Sequence, residues 1–160
     1  MIYVTVGNHT QPFDRLLAAM DRLAAELGVE VVMQTGYCVY APRHARAARF
    51  FPFDGAEKLI QNAEAVVGHA GIGTVISARK FGTPLIICPR RAALGEHFND
   101  HQAEICAELT AHPRPGVYIA MTADEIGGLL PLVRQRGRQP AAADPAAGLK
   151  AAIGGFLDTV

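Results

Sequence analysis

The segment Gly68 to Thr74, GHAGIGT, sets three glycines, a histidine and a threonine in seven residues, directly after the apolar run Ala65 to Val67. Between a strand and a helix, that composition suits an anion. Gly71 and Gly73 lack the Cβ atoms that keep a ligand off the backbone, and a helix opening near Thr74 presents unpaired N–H groups with partial positive charge. Thr74 can cap the helix or donate its hydroxyl to a phosphate oxygen, and His69 can donate an imidazole N–H. The helix dipole contributes only about 0.3–1 kcal/mol at an exposed site, so charge-assisted hydrogen bonds of about 1.5–3 kcal/mol each must supply most of the grip. Glycines at such a turn also serve a purely conformational purpose, letting the backbone bend and the helix approach the sheet. The dinucleotide pattern GxGxxG is absent.

Two other loops carry polar residues at comparable positions. Pro89 to Glu104, PRRAALGEHFNDHQAE, follows a run ending at Cys88 and gathers Arg90, Arg91, Glu96, His97, Asp100, His101, Gln102 and Glu104. Such hydrogen-bonding capacity fits a polyhydroxy or anionic ligand, or simply a solvated loop. His97 and His101, four apart with Glu104 one turn on, also offer zinc ligation for a metal-dependent hydrolase. A helix capped at Asn99 or Asp100 would leave His97 outside it and spoil that arrangement. In the third loop, GNHTQPF from Gly7 to Phe13, Gly7 permits close backbone approach beside Asn8, His9 and Thr10, and Pro12 suits a first helical turn. Cys38, Cys88 and Cys106 include no CxxC pair and read as reduced, buried thiols.

The elements that must hold these loops alternate. Ile2 to Val6 reads as a strand; Phe13, Leu16, Leu17, Met20, Leu23 and Leu27 form a helical stripe ended by Gly28; Val29 to Met33 is a second buried strand. Thr35 to Arg49 reads as a solvated loop, and a helix follows with Asp54 as N-cap and Glu57 completing a capping box. Ala65 to Val67, Thr74 to Phe81 and Leu85 to Cys88 make a βαβ unit, with Gly82 and Pro84 as punctuation. A helix to Leu109, a strand Val117 to Ala120 and a helix opened by Thr122 and Glu125 complete residues 1–136 as one α/β domain with an open parallel sheet. Residues 137–147, rich in Pro, Ala and Gly, read as a linker, and 148–160 as a C-terminal helix whose Leu149, Ile153, Phe156 and Leu157 suit docking on a partner or closing this domain's own core.

With 15 basic and 15 acidic residues, a net charge of zero and 50% hydrophobic residues, the chain has no overall pull toward nucleic acid and enough apolar mass for a core. Apolar runs fall short of the roughly 20 residues that span a bilayer, and the start lacks the marks of a secretory signal. A cytoplasmic protein is expected.

VTVGNHTQPFDRLL, VVMQTG, VVGHAGIGT, GTPLIICPRR and EHFNDHQAE occur in that order. Together they resemble the C-terminal, donor-binding half of GT-B glycosyltransferases of family 28, over about residues 2 to 121. Within that family they are most similar to small stand-alone subunits of two-subunit UDP-sugar transferases, in dolichol-linked glycan assembly and bacterial exopolysaccharide synthesis.

The resemblance implies a Rossmann-like half of a GT-B enzyme and assigns roles. Gly7, Asn8, His69, Ala70, Gly71, Ile72, Gly73 and Thr74 would bind the donor diphosphate. Phe53 and Ser77 would bind uridine, Ser77 standing where many relatives carry a ribose-binding glutamate. Arg90, Glu96, His97, Asp100 and Gln102 would face the sugar. No metal and no cofactor is implied. The implied activity is inverting transfer of a hexose from a UDP-sugar to a lipid-linked saccharide, in exopolysaccharide synthesis. The base would lie on a membrane-anchored acceptor-binding subunit, which would hold this chain as a heterodimer at the inner membrane face. A metal-dependent hydrolase built on His97 and His101, or a non-catalytic UDP-sugar-binding module, are the alternatives.

Overall fold

The computed structural model describes residues 1–143. Six parallel strands form one sheet in the order β3-β2-β1-β4-β5-β6. In chain order the elements are β1 (Ile2–Thr5), α1 (Asp14–Leu27), β2 (Val31–Gln34), β3 (Arg46–Ala48), α2 (Phe53–Asn62), β4 (Ala65–Gly68), α3 (Ile72–Phe81), β5 (Leu85–Ile87), α4 (His101–Ala111), β6 (Val117–Ile119) and α5 (Ile126–Arg136). This is the open, Rossmann-like α/β sheet expected from the alternation of elements.

Strand alternation divides the core in two. Ile2, Val4, Val31, Met33 and Val67 point to the face covered by Leu16, Leu17 and Met20 of α1 and Ile126, Leu130 and Val133 of α5. Tyr3, Val32, Val66, Leu85 and Ile87 point to the other, packed on Ile60 of α2, Val75 and Ala78 of α3, and Ile105, Cys106 and Leu109 of α4. With both faces covered, the central strands read as near-continuous apolar runs, and each buried aliphatic side chain contributes about 1.5–3 kcal/mol. Gly28 closes α1 in the left-handed region (φ 58), where its missing Cβ avoids strain. All three cysteines are buried and free.

Three local expectations fail. The loop read over Thr35 to Arg49 contains β3, an edge strand of only three residues whose Arg46 and Ala47 are exposed, so it shows no apolar alternation. Two carboxylates of α1 hold the chain leading to it. Asp14 accepts the N–H groups of Val39 and Tyr40, and buried Asp21 those of Arg43 and His44. Those bonds outweigh the burial of Asp21 and hold its carboxyl below the ordinary range. Asp54 does not cap α2; Pro52 occupies that position and Asp54 lies in the first turn, where its charge still favours the helix N-terminus. Thr122 and Glu125 do not form the expected capping box either: the Thr122 side chain makes no cap bond, and Glu125 accepts the Thr122 hydroxyl and the Met121 N–H instead.

The described part of the 137–147 segment lies along the amino ends of the strands. Gln139 donates to the Gly82 carbonyl and Ala142 to that of Arg79, while Arg138 reaches the carbonyls of Phe81 and Ala63 and the Thr83 hydroxyl. A cavity of about 300 Å³ opens there between Thr83, Gly116 and Pro140, at the end of the sheet opposite the polar loops. The helix expected over 148–160 lies outside the described residues. Among the described residues no helix is long and apolar enough to cross a membrane.

Candidate functional site

β1 and β4 are neighbours, but the chain leaves β1 toward β2 and leaves β4 toward β5, so their carboxyl ends open a crevice at the point where strand order reverses. A cleft of about 400 Å³ occupies it, bounded by the loop after β1, the turn after β4, the start of α2 and the first turns of α3.

On the glycine-rich side, α3 begins at Ile72 with Gly71 as its cap residue, two positions before the expected start at Thr74. The Thr74 and Val75 N–H groups both return to the Gly71 carbonyl, at 3.1 and 3.2 Å. The N–H groups of Ile72 and Gly73 thus open the helix without an intrahelical acceptor. A Cβ on Gly73 would meet nothing within 4 Å, so this glycine borders open cleft. Gly71 has a different reason to be glycine. Its Cβ would stand 2.3 Å from His69 Nε2, and a Cβ on Gly7 (φ +72) 2.4 Å from His69 Cε1. The ring of His69, rather than a ligand, takes the space that the two glycines release.

Burial is the main force that pushes the His69 imidazole down to about 4, and nearby Arg90 adds to it. The Thr5 backbone pulls weakly the other way, without meeting Nδ1 at hydrogen-bond geometry. His69 is therefore uncharged at neutral pH, so its ring can offer a hydrogen bond but not an ion pair. Asn8, His69 and Thr74 line the cleft with Gly7, Gly71 and Gly73. Ala70 and Ile72 pack their side chains on the core, leaving only their backbone for a ligand.

Phe53, 75% exposed, and Ser77 line the other side of the cleft. Two residues overlooked from sequence join them. Gln34 ends β2 buried; its amide donates to the Gly7 carbonyl and Asn8 Oδ1, and its Oε1 accepts from Tyr3 and the Phe51 N–H. A lone glutamine closing a buried strand was the available signal. Glu57, on α2, also borders the cleft, held at 3.0 Å by Lys80 of α3.

The loop after β5 is arranged otherwise than expected. Arg90 is 0% exposed; Nη1 donates to the carbonyls of Gln11, Pro12 and Glu96 and Nη2 to that of Val6. A guanidinium so enclosed cannot reach a sugar; it ties the β1 and β5 loops together and lends positive potential from beneath. Glu96 is likewise buried, bonded to Arg15 at 2.7 and 3.0 Å and to the Arg91 N–H. Gln102 accepts the Arg90 N–H through Oε1, which leaves its amide NH₂ for a ligand. Asp100 stands at the cap position of α4 and holds the Ala92 N–H. His97 lies outside α4 and stacks on His9, with centroids 4.7 Å apart, whereas His101 pairs with Glu104. Among the described residues no group of three His, Cys, Asp or Glu is placed to hold a metal ion, which removes the geometric basis of the hydrolase alternative.

Against known proteins, the family model of the glycosyltransferase family 28 C-terminal domain matches residues 1–115. Tylactone mycaminosyltransferase of Streptomyces fradiae is 36% identical over 86 residues, 52% of this chain and 18% of that protein. The solution structure of ALG13 superposes with a TM-score of 0.64 at 15% identity, covering 95% of this chain and 94% of that one. The glycotransferase of kitacinnamycin superposes at 0.61 with 18% identity, and the calicheamicin glycosyltransferase CalG4 at 0.57 with 17%, each over 95% of this chain. This chain spans only 38% and 37% of those two, so it corresponds to one part of the larger enzymes.

Proposed function

Because the chain belongs to the glycosyltransferase family 28 C-terminal domain family, we propose that it is the donor-binding subunit of a two-subunit inverting transferase, moving a hexose from a UDP-sugar to a lipid-linked saccharide in exopolysaccharide synthesis. One observation carries this reading: at the switch point of the sheet, the open N–H groups at the start of α3, the Gly73 backbone, His69 and Asn8 share a cleft with Phe53, Ser77 and Glu57. The first group matches a diphosphate and the second a nucleoside. Glu57 supplies a carboxylate for the ribose hydroxyls where Ser77 offers a single hydroxyl. The amide of Gln102, with Asp100, faces the hexose.

Negative charge grows on the leaving diphosphate as the glycosidic bond breaks, and fixed N–H groups at a helix start stabilise it without reorganising. This chain's residues hold and orient the donor. The base that deprotonates the acceptor hydroxyl belongs to a membrane-anchored acceptor-binding subunit, which keeps the heterodimer on the cytoplasmic face. The solution structure of ALG13 carries the same fold over 94% of its own length.

Calorimetric titration tests the donor site. The wild-type chain should bind at least one of UDP-glucuronate, UDP-galactose and UDP-N-acetylglucosamine. Gly73→Val, which projects into open cleft, should weaken that donor by more than ~10-fold, or about 1.4 kcal/mol, with melting temperature little changed. Equal affinity in the variant removes the assignment. Co-expression with the membrane partner should then yield transfer to a lipid acceptor; donor binding with no transfer leaves a non-catalytic binding module.

A further inference from the structure

His9 and His97 come from loops after different strands, yet their rings lie 4.7 Å apart at 32°, with Phe98 set edge-on to His9 at 5.5 Å. Each ring is oriented in the same way. The Gln11 N–H donates to Nδ1 of His9 and the Asn99 N–H to Nδ1 of His97, both at 3.4 Å. A neutral imidazole that accepts at Nδ1 carries its proton on Nε2. Two Nε2–H donors therefore stand side by side, and neither Nε2 meets a protein acceptor among the described residues. Asn8, the residue before His9, lines the cleft, and both imidazoles lie near enough to His69 to bias its charge.

The loops are held before any ligand arrives. Arg90 joins the carbonyls of Val6, Gln11 and Pro12 to that of Glu96, and Arg15 closes on Glu96. The charged and titratable groups that act on the pair are Arg90 from the β5 loop and His69 from the β4 turn, with Glu96 and Asp100 close to His97 in the chain. Glu96 is engaged by Arg15 and the Arg91 N–H, and Asp100 by the Ala92 N–H. No carboxylate bonds to either ring among the described residues. Burial, then His97 and Arg90, hold His9 below the ordinary imidazole range.

Resting on the donor-diphosphate reading above, we propose that His9 and His97 act as a paired Nε2–H donor to the diphosphate of the bound nucleotide-sugar, taking up a proton from solvent as that anion arrives. Two cations at this separation repel, so the pair gains one proton rather than two. The diphosphate diester carries two negative charges and does not titrate near neutrality, so proton uptake on binding belongs to the protein. Because the complex binds more protons than the free chain, affinity must fall as pH rises.

The test uses the full chain and the UDP-sugar that binds best of the three named above, titrated between pH 6 and pH 8 in buffers of differing ionisation enthalpy. Wild type should bind several-fold more weakly at pH 8 than at pH 6, with buffer-dependent heats that report net uptake of up to ~1 proton per donor. His9→Gln and His97→Gln, which keep an N–H donor that does not titrate, should flatten both dependences. Should either variant fail to fold, the wild-type pH and buffer series decides alone. A donor that binds with pH-independent affinity and no proton uptake overturns this inference and leaves the donor-site reading standing, as do glutamine variants that retain the wild-type pH slope. Failure of wild type to bind any of the three donors overturns that reading and this inference together.

Discussion

The turn after β4 and the loop after β5 leave neighbouring strands at the same end of the sheet, and both are rich in polar residues. They use them in opposite ways. At the β4 turn the opening N–H groups of α3 and the edge of Gly73 face an open cleft. In the β5 loop Arg90 and Glu96 are turned inward, their polar atoms engaged by backbone carbonyls and by Arg15. The difference teaches that polar density near a sheet's carboxyl edge measures hydrogen-bonding capacity, not availability. A buried charge must find partners within the protein, and those partners then withdraw it from any ligand.

The largest expected effect tests the inward side. Arg90→Met should leave the carbonyls of Val6, Gln11, Pro12 and Glu96 without their shared donor and cost about 4 kcal/mol in urea unfolding, or roughly 10 °C in Tm. Unchanged stability with loss of donor affinity would make Arg90 a ligand contact and erase the contrast. The next concerns His69, which packs tightly yet borders the cleft. As pH falls below 6.5 the unfolded chain takes up a proton that the native imidazole refuses until about 4. Stability is thus full above 6.5, drops by roughly 3 kcal/mol on the way to pH 4, and levels off below. In urea melts at pH 7 and pH 4, His69→Gln should lose less stability than wild type; an equal loss places the acid sensitivity elsewhere.

The smallest effects compare one replacement two residues apart. Gly71→Ala forces a Cβ against the His69 ring and should cost about 1–3 kcal/mol, whereas Gly73→Ala meets open space and should stay within ~1 kcal/mol of wild type. Thermal melts that show equal costs would mean that His69 moves aside freely.

Much of this was legible without coordinates. The alternation of buried strands and helices, the Gly28 and Gly82 helix stops and the strand-turn-helix around GHAGIGT rest on interactions local in the chain, and they appear in the structure within a few residues. The edge strand β3 escaped because three residues with exposed side chains carry no period to read. The cap of α2 escaped because an aspartate in the first turn gains from the helix dipole nearly as it would at the cap position. Gly7, Asn8, Gly71, Gly73, Thr74, Phe53 and Ser77 line the cleft, whereas Arg90 and Glu96 are turned into the protein. Residue type near a strand end reveals chemistry, but the solvent side of a loop depends on partners such as Val6, Gln11 and Arg15, which are distant in sequence.

Sequence alone determined the sheet, its covered faces and the end at which the polar and glycine-rich loops gather, because hydrophobic period and turn chemistry act over a few residues. The tertiary structure decided which polar groups stay available. It placed His69 between two glycines, gave Gln34 its hold on the β1 loop, enclosed Arg90 and brought His9 against His97. Each of those outcomes depends on contacts between loops, and only the closed fold brings their atoms within hydrogen-bond range.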